Sequence, residues 1–167
     1  EEMTLGNASA WTSQLNTVYH FNTLGGAEGI YETLEARLNA LVNPDFTDEE
    51  IRREVAHLSV AEGEDGGLYL EEKGTVYTEM VSSFEGPGYP LWGGMGDMLF
   101  GKDHPVANSS GGHPDSMRTM VPADMREFHA KNYHLSNMGI IVSLPKDFEL
   151  DDFLKRVDGL LDRVQPG

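Results

Sequence analysis

The sequence predicts an α+β fold (α/β in the broad sense), with helices covering one face of a sheet. Three observations predict it: an alternating β-branched segment near the start, several apolar stripes at helical spacing, and one continuous apolar run late in the chain. At 167 residues the chain is long enough to bury about 70 % of its extended surface, so one domain over residues 1–167 is the expectation.

Thr17-Val18-Tyr19-His20-Phe21-Asn22 alternates and is rich in β-branched and aromatic residues, the pattern of a half-buried strand that ends at Gly25-Gly26. From Ala27 to about Val42, Ile30, Leu34, Leu38 and Leu41 form one stripe of an amphipathic helix, stopped by Asn43-Pro44. Thr47-Asp48-Glu49-Glu50 is a capping box, with Phe46 and Ile51 placed as a hydrophobic staple. Ile51, Val55 and Leu58 are expected to continue the face of that second helix. Glu62 to Gly67 is acidic and glycine-rich and predicts a solvated loop.

Helical spacing resumes with Val76, Met80 and Phe84, and a short helix is expected around Leu91 to Phe100 despite Gly93, Gly94 and Gly96. Val121-Pro122-Ala123-Asp124 places proline at the first helical position and an acid in the first turn, opening a helix to about Tyr133. Gly139 to Leu144 is a continuous apolar run fit for a buried strand. Phe153, Val157, Leu160, Leu161 and Val164 mark a last helix before Pro166.

Composition narrows the function classes. The 28 acidic and 12 basic residues give a net charge of −16, which repels phosphate backbones and anionic lipid. No cluster of Lys or Arg offers a local exception, so nucleic acid and membrane surfaces are poor partners. No apolar run approaches the roughly 20 residues of a membrane span, and Glu1-Glu2-Met3-Thr4 lacks the pattern of a secretory signal. A soluble protein with the cytoplasm as default compartment is the expectation. With no cysteine, a metal must sit on His, Asp or Glu.

The six histidines, His20, His57, His104, His113, His129 and His134, form no H-E-x-x-H or H-x-x-E-H pair. His129 and His134 are five apart, which on a helix turns them about 140° from each other. Packed or surface roles are the simpler reading for all six. Glu72 and Glu79 are seven apart, two turns of a helix, and with Val76 between them they place two carboxylates on a stripe expected to be apolar. In a chain with 28 acids, a solvated acidic face is the competing reading of that pair. Ser110-Gly111-Gly112-His113-Pro114 lacks the lysine of a phosphate-binding loop, and no G-x-S-x-G elbow is present.

Five segments, in order, resemble the pitrilysin family of inverted-motif zinc metallopeptidases, and within it the presequence-protease branch. They are Asn7-Ala8-Ser9 with Val18-Tyr19-His20-Phe21, Asn43-Pro44-Asp45-Phe46-Thr47 through Ile51 with Arg53-Glu54, Glu72-Lys73-Gly74-Thr75-Val76-Tyr77-Thr78-Glu79-Met80, Ser110 to Pro114, and Phe128-His129-Ala130-Lys131-Asn132-Tyr133-His134 through Met138. The resemblance implies a two-layer sandwich of mostly antiparallel sheet, N-terminally truncated here, because the H-x-x-E-H motif is absent and would lie shortly upstream of Glu1. It further implies that Glu79 completes a His, His, Glu zinc site, that Glu72 supports it, and that Asn7, Ala8 and Ser9 lie on an edge strand to which peptide adds.

The expected function is thus a part of a zinc metalloendopeptidase acting on short unfolded peptides. By that resemblance the isolated chain is inactive and holds no zinc of its own, and its partners are unfolded peptides and the remaining domains of the parent. Exposed strand edges and apolar surface also predict self-association. The alternatives are a non-catalytic homologue serving as a structural or peptide-binding subunit, and an unrelated acidic binding domain. Leu135 in place of a proline and Ala10 in place of a threonine depart from the family pattern without touching the implied ligands.

Overall fold

The computed structural model describes residues 5–163. Among them the order is β1 (Leu5–Thr12), β2 (Thr17–Thr23), α1 (Gly26–Val42), α2 (Asp48–Val55), β3 (His57–Glu62), β4 (Leu68–Lys73), α3 (Thr75–Glu85), α4 (Gly88–Phe100), α5 (Pro114–Thr119), α6 (Pro122–Asn132) and α7 (Leu150–Leu161). Helices predominate and the strands form two antiparallel pairs, β1 with β2 and β3 with β4, so the α+β class predicted from sequence holds. Val164 and Pro166 lie outside the described residues.

The described chain divides into two compact units, one of residues 5–9, 19–45 and 126–163, the other of residues 10–18 and 46–125. In the first unit the core is Tyr31, Phe153 and Val157, with Ile30, Leu34, Leu144, Phe148 and Leu161 packed against it. It joins the predicted stripes of α1 and α7. Tyr31 and Phe153 stack with ring centroids 5.8 Å apart, and Arg156 lies over the Tyr31 ring while its guanidinium forks onto Glu28 at 2.7 and 2.6 Å. Burying a ring such as Phe153 contributes about 1.5–3 kcal/mol to holding α7 in place.

In the second unit the core is Tyr77, Met80 and Met117, with Val55, Ala56, Val76, Val81 and Phe84 around it. The predicted capping box is present at the start of α2. The Thr47 hydroxyl accepts from the Glu50 backbone N–H at 3.2 Å, and the Glu50 carboxylate accepts from the Thr47 N–H at 2.8 Å. Such a cap stabilises a helix start by about 1 kcal/mol.

Several elements differ from the sequence reading. Leu58 does not continue α2: the helix ends at Val55, Ala56 is extended, and His57 opens β3. The alternation Leu58, Val60 against Ser59, Ala61 has the period of a strand, and the acidic loop closes it into a hairpin. There the Gly63 N–H donates to Gly67 O at 2.8 Å and the Asp65 carboxylate accepts from the Gly67 N–H at 3.0 Å. In the β3–β4 register Leu58 faces Glu72 and Val60 faces Leu70.

The apolar run Gly139 to Leu144 forms no strand, and Ile140, Ile141 and Val142 are exposed. A strand exists only through a hydrogen-bonded neighbour, and among the described residues this run has none. Composition alone therefore misassigned it. The glycine-rich segment does form a helix, α4, longer than predicted, with Leu91, Trp92, Met95, Met98, Leu99 and Phe100 all exposed on it.

Candidate functional site

The site suggested by sequence straddles the junction of β4 and α3, and its geometry corrects one expectation. Glu72 and Glu79 do not share a helical stripe. Glu72 lies on β4, and the chain turns at Gly74 before α3 begins at Thr75. Gly74 has φ of +150°, and a Cβ at that position would sit 2.5 Å from the Val55 carbonyl oxygen. Only glycine allows β4 to pass this close to the end of α2 and still enter a helix. A glycine inside an apparently helical pattern was the signal in the sequence that marked this break.

The two carboxylates consequently have different surroundings. Glu72 is held by Arg118 of α5, whose Nε donates to Oε1 at 2.7 Å and whose Nη2 donates to Oε2 at 3.0 Å. The Tyr77 hydroxyl donates to the same Oε2 and accepts from Arg118 Nη2 at 2.6 Å. The hydrogen bonds from Arg118, then the one from Tyr77, push the Glu72 carboxyl down to about 2. The same contact with Glu72 raises the Arg118 guanidinium and the Tyr77 hydroxyl above their ordinary values. Arg118 also donates through Nη1 to Asp115. Sequence reasoning singled out neither Arg118 nor Tyr77, and no spacing signal links positions 46 residues apart.

Glu79 sits on the first half of α3, exposed, and its carboxylate has no hydrogen bond or ion pair among the described residues. The opposite face of that helix is anchored by Tyr77 and Met80, both buried in the core. Beside the junction a cleft of about 460 Å³ is lined by Glu72 together with Arg53, His57, Glu71, Lys73 and Thr78. Glu79 is not part of its wall.

Among the described residues no three His, Cys, Asp or Glu side chains gather into a group able to hold a metal ion. Glu79 therefore belongs to no such group among the described residues. Four of the histidines have local duties. His113 and His104 accept backbone N–H groups at the starts of short helical turns, each at 3.2 Å. His129 donates to Leu41 O at 2.7 Å, and His134 reaches Ser136 Oγ at 2.9 Å and Lys131 O at 3.1 Å. The Nδ1 of His57 is buried with no hydrogen-bond partner.

Asn7, Ala8 and Ser9 lie on β1, with Asn7 and Ser9 exposed. Among the described residues β1 pairs only with β2, so its other edge presents unpaired N–H and C=O groups.

Curated relatives match over most of the chain. A mitochondrial presequence protease of Emericella nidulans is 30% identical over 167 aligned residues, covering 95% of this chain, and one from Gibberella zeae is 30% identical over 161, covering 93%. The chain is a relative of the presequence proteases, in the pitrilysin family. It spans about 15% of the length of those presequence proteases, and the same share of an uncharacterized Saccharomyces cerevisiae protein to which it is 28% identical over 165 residues. No family model matches the chain. The presequence-protease relatives are named as mitochondrial, so they lend no support to a cytoplasmic default. No helix among the described residues is long and apolar enough to cross a membrane.

Proposed function

We propose that this chain is part of a zinc metalloendopeptidase that hydrolyses short unfolded peptides, and that it supplies Glu79 as one metal ligand, Glu72 as its support and Asn7 to Ser9 as a substrate strand. The observation that carries the reading is the contrast between the two acids. Glu72 has both oxygens committed to Arg118 and Tyr77, whereas Glu79 presents a free carboxylate from a helix whose other face is locked in the core.

A hard oxygen donor on a rigid element suits a zinc ligand, and two imidazoles from outside residues 5–163 would complete the set. When bound in such a set, zinc acidifies a water for attack on a peptide carbonyl. Glu72 ties β4 to α5 and so steadies the strand that leads into the ligand helix. The open edge of β1 takes an extended peptide through main-chain hydrogen bonds, a mode that reads backbone more than side chain. Hydrolysis needs the parent's remaining domains as well, and on this reading the isolated chain is inactive. A free carboxylate retained on α3 favours this reading over a subunit that has lost metal binding.

The test is Glu79→Gln in the full-length protein. Loss of bound zinc and of peptidase activity, with the far-ultraviolet circular dichroism spectrum unchanged, is the expected result. Full activity with full zinc in that variant refutes the assignment.

A further inference from the structure

We propose that Arg118 is a positioning residue: through Glu72 and Tyr77 it sets the direction of α3 and hence of the Glu79 carboxylate. The inference rests on the proposed function and adds a residue outside the segment that suggested it. Three elements meet at this guanidinium. It forks onto Glu72 of β4 with two donors, at 2.7 and 3.0 Å, donates to the Tyr77 hydroxyl of α3 at 2.6 Å, and holds Asp115 of its own helix α5. Its carbon lies 5.4 Å from the centroid of the Tyr77 ring.

The backbone alone does not fix the angle at which α3 leaves β4. Gly74 stands at the junction, and it is the residue with the most conformational freedom. Tyr77 closes that freedom, because its ring is buried beside Met80 and Met117 while its hydroxyl is held between Glu72 and Arg118. Glu79 follows Tyr77 by two residues, about 200° around the helix, so rotation of α3 about its axis swings the Glu79 carboxylate directly.

Stability is a weak explanation for the arrangement. The Arg118 and Glu72 side chains are 44% and 43% exposed, and ion pairs at such exposure contribute about 0–1 kcal/mol. Orientation explains why three nitrogens of one guanidinium are all engaged. A lysine, with a single point charge, cannot span both Glu72 oxygens and the Tyr77 hydroxyl in this way.

The experiment uses the full-length protein with Arg118→Met, Arg118→Lys and Tyr77→Phe, reading the zinc dissociation constant by chelator competition, kcat, KM and the melting temperature. Residues that orient metal ligands typically change metal affinity or activity by about 10–100-fold. That range is expected for zinc affinity or kcat in both Arg118 variants, with KM within about twofold of wild type, and a smaller change in the same direction for Tyr77→Phe. Zinc affinity and kcat within about twofold of wild type in Arg118→Met and Tyr77→Phe would overturn the proposal. Full recovery in Arg118→Lys would overturn it too, since the fork would then be dispensable. Should Arg118→Met fail to fold, Tyr77→Phe decides by the same readings. Glu79→Gln separates the two levels: zinc loss there with none in the Arg118 variants removes only this inference, whereas full zinc in Glu79→Gln removes the proposed function beneath it.

Discussion

Met117→Ala tests whether the core beneath α3 is the rigid platform that the site requires. Met117 is 4% exposed and packs with Tyr77 and Met80, so the substitution removes thioether contacts from the inner face of α3. The transfer part of the loss is about 2 kcal/mol. A cavity contribution adds to it, because the walls cannot close in. Gly112, with φ of +91°, brings its backbone so near that a Cβ there would lie 3.3 Å from Met117 Cε, and Gly111 comes closer still to Met80 Sδ. Met→Ala changes in sites that do not collapse cost about 3–4 kcal/mol, within the general range of 2–5. For a chain of this length that corresponds to a fall in melting temperature of roughly 6–16 °C. The assay is urea unfolding followed by far-ultraviolet circular dichroism, where the midpoint should fall with an unchanged slope. Met98→Ala, at a residue 88% exposed on α4, is the matched control and should stay within about 0.5 kcal/mol. A loss below about 1 kcal/mol for Met117→Ala, or equal losses for the two methionines, refutes the claim that this cluster anchors α3.

Two further outcomes follow from the same geometry. Because the Glu72 carboxyl is held down at about 2 from an ordinary 4.5, its contribution to stability is complete above pH 4.5 and is lost as the pH falls toward 2, so the stability difference between wild type and Glu72→Gln should shrink across that window and a pH-independent difference would contradict it. Along β1, neighbouring residues turn their N–H groups to opposite edges. Of Ala8→Pro and Ser9→Pro in the full-length protein, one should therefore raise KM for peptide by about 2–10-fold with kcat unchanged, the worth of one hydrogen bond, and the other should weaken the β1–β2 pair; an unchanged KM in both would dismiss the edge as a substrate strand.

The parts of the fold legible in the sequence were those governed by local physics. The stripes of α1 and α7, the capping box at Thr47 to Glu50 and the proline-led start of α6 depend on residues within one or two turns, and each formed as the spacing implied. Failures came where a partner decides. Leu58 satisfied the helical period and the strand period alike, and pairing with β4 selected the strand. Gly139 to Leu144 had the composition of a strand without a neighbour to make it one. For Glu72 the error was of the same kind: seven residues fit two helical turns only if Gly74 is helical, and the approach of Val55 made it a turn instead.

The consequence for the candidate site is that spacing cannot distinguish one carboxylate from another in a chain with 28 of them, but partners can. A carboxylate already forked by an arginine has its charge and lone pairs spent, and a cation must displace that arginine to bind there. A carboxylate with no hydrogen-bond or ion-pair partner has its oxygens open to a cation without displacing one. Glu72 is in the first condition and Glu79 in the second. The roles proposed for them therefore follow from what each side chain touches, and exchanging the conditions is informative: removing the Arg118 fork should free Glu72 to compete for the metal, so Arg118→Met combined with Glu79→Gln should recover part of the zinc binding that Glu79→Gln alone has lost. If the double variant binds no more zinc than Glu79→Gln, the Arg118 fork is not what keeps Glu72 from the metal.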